Sequence, residues 1–186
     1  MEKRIDAITL LKRDHRAVKE LFAQFRKLTK TRNGSPEEKM VLAGKIGHEL
    51  AVHSAIEEQI FYPAARKAVS EEESQVLESL EEHHMLKILL AELKLLQPAD
   101  ERFEPKMKVL MEMVEHHIEE EETKLLPKVQ AGLDREELLS IGDALMQAKT
   151  VVPDTPKPKA PDTPPRNLTP DTHPLYDQAM KAIEAE

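Results

Sequence analysis

Two stretches of the chain repeat a chemistry-bearing pattern. His53-Ser-Ala-Ile-Glu57-Glu58-Gln-Ile-Phe-Tyr-Pro63 aligns with His117-Ile-Glu-Glu-Glu121-Glu122-Thr-Lys-Leu-Leu-Pro127. Each has a histidine, a glutamate four residues on, a second glutamate beside it, and a proline ten residues after the histidine. At a spacing of four on a helix, imidazole and carboxylate share nearly one face, so both can reach one metal ion. A second pair of segments also repeats: Asp14-His15-Arg16-Ala-Val18-Lys19 matches Glu82-His83-His84-Met-Leu86-Lys87. A unit of two helices has been doubled, which predicts approximate twofold symmetry.

The elements that carry these residues must turn them inward. His15 stands seven residues after Ile8, four after Leu11 and three before Val18, inside an apolar stripe of helical period. His83 lies likewise among Val76, Leu80, Leu86 and Leu90, His53 follows Ile46 and Leu50, and His117 follows Leu110 and Val114. Glu57 and Glu121 share the faces of their histidines. A buried carboxylate costs on the order of several kcal/mol unless it is paired or bound to a cation. No Lys or Arg in the same stripes is evidently placed to pair with them. A pair of divalent ions resolves the conflict, with each glutamate bridging both ions and each pair of histidines capping one. Imidazole and carboxylate without thiolate suit iron, manganese or zinc, and the donor set alone does not choose among them.

Two positions leave alternatives open. The phase of the repeat favours His83, while His84 has Leu77, Leu80 and Ile88 around it. His116 is five residues before Glu121 and so about 140° away around an ideal helix, which makes His117 the better partner. His48, Glu49, Glu58, Glu120 and Glu122 read as residues that orient ligands or meet solvent, Phe61 and Leu125 as pocket walls, and His173 as exposed.

Composition agrees with a helical protein. The chain of 186 residues has four Phe, two Tyr, no Trp and five Gly, too few aromatics for a β-sandwich or barrel. It has no cysteine, which excludes disulfides, thiolate zinc sites, iron–sulfur clusters and cysteine nucleophiles. Thirty-five acidic against 27 basic residues give a net charge of −8, which argues against a general nucleic-acid surface and suits cation capture. Charges interrupt every apolar run, at the amino terminus included, so the chain reads as cytoplasmic, with no membrane span.

The predicted fold is all-α: an antiparallel up-down-up-down four-helix bundle with a short fifth helix and a proline-rich C-terminal tail. Helix one is expected over Asp6 to Thr29, with Arg32-Asn33-Gly34 as the loop. Helix two follows Ser35 as N-cap, with Pro36 at its first position, Glu38 completing a capping box, and Pro63 marking or kinking its end. Helix three is expected from Ser70, with Glu73 as capping partner, to before Pro98, and helix four over Phe103 to Val129. A fifth, capped by Asp134 with Glu137, completes a bundle domain at 1–150. Eight of the 13 prolines fall in 151–174, predicting an extended segment, and 175–186 could form a terminal helix.

The doubled pattern His15, His53-xxx-Glu57, His83 or His84, His117-xxx-Glu121 resembles the hemerythrin-like family, the HHE cation-binding domain, over roughly residues 8–130. The resemblance implies a non-haem centre of two iron ions, bridged by oxo or hydroxo and by the Glu57 and Glu121 carboxylates. His15, His53, His83 and His117 would then be terminal ligands. It also implies a small diatomic or peroxide as partner, through O₂, peroxide or nitric oxide chemistry or through sensing. The oxygen carriers of that family have two histidines four apart on the third helix; here Lys87 follows His83 by four and Ile88 follows His84. One ligand of the carrier pattern is missing, which points away from reversible carriage and toward redox turnover or sensing. Two rivals stand beside this reading: a ferritin-like oxidase, for which only Glu81-x-x-His84 fits the Glu-x-x-His signature, and a metal-free helical interaction domain.

Overall fold

The computed structural model describes residues 4–30, 34–69, 71, 73–155 and 157–184. Among these there is no strand, and the helices are α1 (Ala7–Lys30), α2 (Pro36–Ile56), α3 (Tyr62–Ala68), α4 (Glu73–Leu93), α5 (Phe103–Glu120), α6 (Leu126–Gly132), α7 (Arg135–Ala148) and α8 (His173–Ala182). The helix starts follow local chemistry. The Asp6 carboxylate accepts the Thr9 N–H at 2.9 Å at the head of α1. Ser35 with Glu38, and Asp134 with Glu137, form complete capping boxes before α2 and α7. Expected positions Arg32, Asn33 and Ser70 lie outside the described residues, and α4 is described from Glu73.

Pro63 does not end the second helix. A π turn at Glu57–Phe61 joins α2 to α3, and the chain stays helical to Ala68. The Tyr62 N–H reaches back five residues to the Glu57 carbonyl. Proline lacks the N–H that would serve the Gln59 carbonyl, and its ring would collide with that carbonyl in a regular helix. Widening the preceding turn removes the collision. The second repeat uses the same device: a π turn at Glu121–Leu125, the Leu126 N–H on the Glu121 carbonyl, then Pro127 and a helix that runs on to Gly132, past the expected end at Val129. Glu57 and Glu121 are thus the first residues of the two widened turns.

Helix α1 packs on α2, α4 on α5, and α7 on both α1 and α8. The apolar interior falls into two bodies. One gathers Leu11, Ile56, Ile60, Phe61, Leu80 and Leu125 with the inner face of α7. The other gathers Val18, Phe22, Leu50, Leu86, Phe103 and Val114. The layer of histidine and glutamate lies where the two meet. Gly142 lets α7 sit against the start of α1, since a Cβ there would come within 2.1 Å of the Ile5 carbonyl oxygen.

After α7 the chain turns through the proline-rich segment and returns to the bundle. Helix α8 begins at His173, two residues before the expected start, with His173 itself exposed and Ala179 buried. Asn167 donates from Nδ2 to the Glu58 carbonyl at 3.4 Å, tying the segment to the first π turn. No described helix is long and apolar enough to cross a membrane.

Candidate metal centre

All six residues predicted as ligands are buried and converge. His15, His53, Glu57 and Glu121 offer donor atoms within 4.8 Å of one another, and Glu57, His83 and His117 form a second such group. Glu57 belongs to both. The alternatives separate cleanly: His84 is half-buried outside these groups, while His116 is exposed and groups with Glu82 and Glu120 at the surface. The inward direction of His83 and His117 follows from their place in the stripes of α4 and α5.

Each histidine presents Nε2 to the centre and turns Nδ1 to a carboxylate from another helix or turn. His15 Nδ1 faces Glu122 at 2.9 Å, His83 Nδ1 faces Glu58 at 3.1 Å, and His117 Nδ1 faces Glu82 at 2.7 Å. His53 Nδ1 lies 3.7 Å from Asp14, which also accepts from Lys149 at 2.7 Å. An ionised carboxylate only accepts, so the ring nitrogen it bonds carries the proton and Nε2 is left as a bare lone pair. On the inner side, His53 Nε2 is 3.2 Å from Glu57, His83 Nε2 3.5 Å from Glu57, His15 Nε2 3.3 Å from Glu121, and His117 Nε2 3.6 Å from Glu121. The repeat is respected throughout. The acid before one histidine serves the histidine of the following element, and the acid after each inner glutamate serves the opposite half.

Lysine continues the pattern outward. Lys87 donates to Glu58 at 2.7 Å, and its counterpart Lys19 lies 3.9 Å from Glu122. Lys87 stands where the carrier pattern has a further histidine, and it serves an outer carboxylate. Neither Glu57 nor Glu121 has a Lys or Arg partner among the described residues. Tyr62, fully buried, donates to Glu121 Oε1 at 2.9 Å and lies 3.3 Å from His83 Nε2.

Burial governs the protonation of this layer. It pushes the Glu57 carboxyl well above the usual carboxylate range, with the nearby charge of Glu121 adding to the shift. It lowers His53 to about 4, against the pull of Asp14, and lowers His83 against the pull of Glu58. At His117 burial also pushes down, but the charges of Glu121 and Glu82 outweigh it and the ring is raised. Burial opposes ionisation of Glu121 too, and the neighbouring histidines, His117 first, hold it below the ordinary range. Tyr62 is raised well above a free phenol by burial and then by the two glutamates.

Several donor atoms have nothing to bond. Both oxygens of Glu57, both nitrogens of His53, His15 Nε2, Glu121 Oε2 and Asp14 Oδ2 are buried without a hydrogen-bond partner. Buried polar atoms are ordinarily satisfied. Five of these atoms, both Glu57 oxygens, His53 Nε2, His15 Nε2 and Glu121 Oε2, face the centre, and donors left in this state fit a bound cation.

Sequence reasoning had not assigned Asp14, Glu82 or Tyr62. The acid directly before a histidine in both repeats was a usable signal for the first two. For Tyr62 there was none, because Leu126 occupies the equivalent position in the second repeat.

Comparison with known proteins places this geometry in a familiar setting. The family model "Hemerythrin HHE cation binding domain" matches residues 6–129. A hemerythrin-like protein of Schizosaccharomyces pombe is 34% identical over 118 residues, covering 63% of this chain and 58% of that protein. A DNA nickase of Nostoc sp. is 26% identical over 128 residues, covering 69% of this chain and 34% of that protein. The chain therefore spans less than two thirds of the length of either relative. The crystal structure of a Hemerythrin HHE cation binding domain-containing protein from Mycobacterium kansasii shares the fold, with a TM-score of 0.63 at 24% identity, over 78% of this chain and 86% of that one.

Proposed function

The chain belongs to the hemerythrin HHE cation-binding domain family, and from that premise we propose that His15, His53, Glu57, His83, His117 and Glu121 hold two iron ions. The centre reacts with, or senses, a small molecule: O₂, peroxide or nitric oxide. One observation carries the reading. His83 Nε2 and His117 Nε2 face each other at 3.2 Å, while each ring has its Nδ1 committed to a carboxylate. Two lone pairs at that separation repel unless a cation or proton takes them, and the unpartnered oxygens of Glu57 lie beside them. The donors would accept manganese or zinc as well; the likeness to hemerythrins supports iron.

Bound there, iron supplies one-electron redox chemistry and coordination positions open to a small molecule. The remaining functions belong to the chain. Glu57 is within reach of both donor groups. Glu122, Glu58 and Glu82 fix the tautomer and rotation of three rings, and Asp14 flanks the fourth. Tyr62 holds Glu121 by its hydroxyl.

Size supports a small ligand. Val18, Leu50, Leu86, Val114 and Ile118 wall an apolar cavity of about 20 Å³ against the four histidines. Roughly 10–15 Å³ is the room a single water needs, so a diatomic or a peroxide fits and a metabolite does not. The His83–His117 group has three protein donors against four in the other, so a metal held there would keep more room for a small ligand.

Metal analysis of the purified chain with a visible spectrum tests the assignment. About two irons per chain, lost in parallel with the spectrum on chelation, support it; protein that is metal-free and refuses iron ends it. Consumption of hydrogen peroxide or nitric oxide by the iron-loaded chain separates turnover from sensing.

A further inference from the structure

The proline-rich segment roofs a second cavity. Residues 153, 155, 157, 160, 161 and 166–169 lie over α2 and α4 and border about 250 Å³ against Ser54, Gln59 and Lys87. Three cations line it, Lys87, Lys157 and Arg166, and one acid, Glu58. That acid is fully engaged, since Oε1 meets His83 and Oε2 accepts from Lys87. Lys157 and Arg166 make no ion pair with any described residue, in a chain whose net charge is −8. Two acceptors on the same wall also lack partners: Gln59 Oε1, in a residue only 6% exposed, and Asn167 Oδ1. The Asn167 Nδ2 bond to the Glu58 carbonyl decides which end of that amide is left over.

The missing complement has two parts. Unpaired Lys and Arg call for an anionic oxygen, which Arg binds through paired N–H donors. Buried amide oxygens call for a hydroxyl that donates, because leaving them bare costs as much as a lost hydrogen bond. We propose that this cavity is a binding site for a small hydroxycarboxylate, its carboxylate on Arg166 and Lys157 and its hydroxyl on Gln59 and Asn167. None of the six inner donors takes part, so the site stands whether or not the metal assignment does. An anion drawn to Lys87 competes with Glu58, and Glu58 is the residue that orients His83; occupancy here is therefore felt at the inner layer.

Calorimetric titration of the full chain tests the site, with L-malate, succinate and inorganic phosphate as probes. Malate binds saturably to one site, roughly tenfold tighter than succinate, which lacks the hydroxyl. The double variant Lys157→Gln/Arg166→Gln, both exposed positions, weakens malate by at least about tenfold with an unchanged melting temperature. Gln59→Leu erases the preference for malate over succinate. No saturable malate binding up to about 10 mM, or binding indifferent to the double variant, overturns the proposal. Phosphate binding without malate binding overturns the ligand class.

Discussion

His83 and His117 stand on different helices, α4 and α5, yet their Nε2 atoms meet at 3.2 Å with the ring centroids 4.8 Å apart. Glu58 and Glu82 hold them there from behind, each on the Nδ1 of its ring. Two basic atoms pressed together by two acids make sense as a seat for positive charge. His15 and His53 form the matching pair, with ring centroids 4.9 Å apart.

Glu57 separates stability from metal binding. Its carboxylate is fully buried and both oxygens lack partners. Glu57→Gln removes the ionisable group, and with it the cost of burying or protonating a carboxylate, and keeps the shape. The metal-free variant should be more stable than the metal-free parent by roughly 1–3 kcal/mol in denaturant melts. It should also lose metal more completely than any single histidine variant, because Glu57 alone belongs to both donor groups. A metal-free variant less stable than its parent would contradict this.

The histidine assignments are tested by content. His83→Ala and His117→Ala should each lower bound iron by about one ion per chain. His84→Ala and His116→Ala should leave it unchanged, since those rings lie outside the converging groups. Elemental analysis of the four proteins after identical reconstitution decides the matter.

Outer carboxylates set affinity. Glu82→Gln removes the acceptor 2.7 Å behind His117 and should weaken metal binding about 10- to 100-fold in a chelator competition. Glu78→Gln, at an exposed position of α4 outside the donor groups, serves as the control and should change nothing.

Tyr62→Phe deletes one hydroxyl from a closed layer. The Glu121 oxygen at 2.9 Å then loses its donor, and the metal-free protein should be destabilised by about 1–3 kcal/mol. Bound iron should stay at the parental amount, because the six inner donors are intact. Loss of iron in this variant would show that the phenol itself is needed to hold it.

Removing metal should soften the whole bundle. A ligand present at about a thousandfold its dissociation constant stabilises by roughly 4 kcal/mol, and for a chain of this size that is a fall of about 10 °C in melting temperature on chelation. Calorimetry before and after chelator, and after iron is restored, measures it.

What was legible in the sequence was whatever depends on a single helix. A period of 3.6 residues decides which face a side chain occupies, so the inward turn of His15, His53, Glu57, His83, His117 and Glu121 could be read from neighbours three, four and seven residues away. Caps are equally local, and Ser35 with Glu38 and Asp134 with Glu137 form as their spacing predicts. The π turns were half visible: proline in both repeats demanded a local change, but whether the helix stopped or widened depended on Ala64 and Ala65 being buried beyond Pro63.

Tertiary structure decided the pairings. His15 and Glu122 are 107 residues apart and His117 and Glu82 are 35 apart. Periodicity says that each faces inward or sideways; it carries no record of how far one helix slides or rotates against its neighbour, and a shift of one turn, 5.4 Å, would exchange every partner. The same holds for the tail, whose prolines announce an extended chain without saying where it lands. That it crosses α2 and α4 beside Glu58 follows from packing and from the Asn167 bond, which no local rule contains.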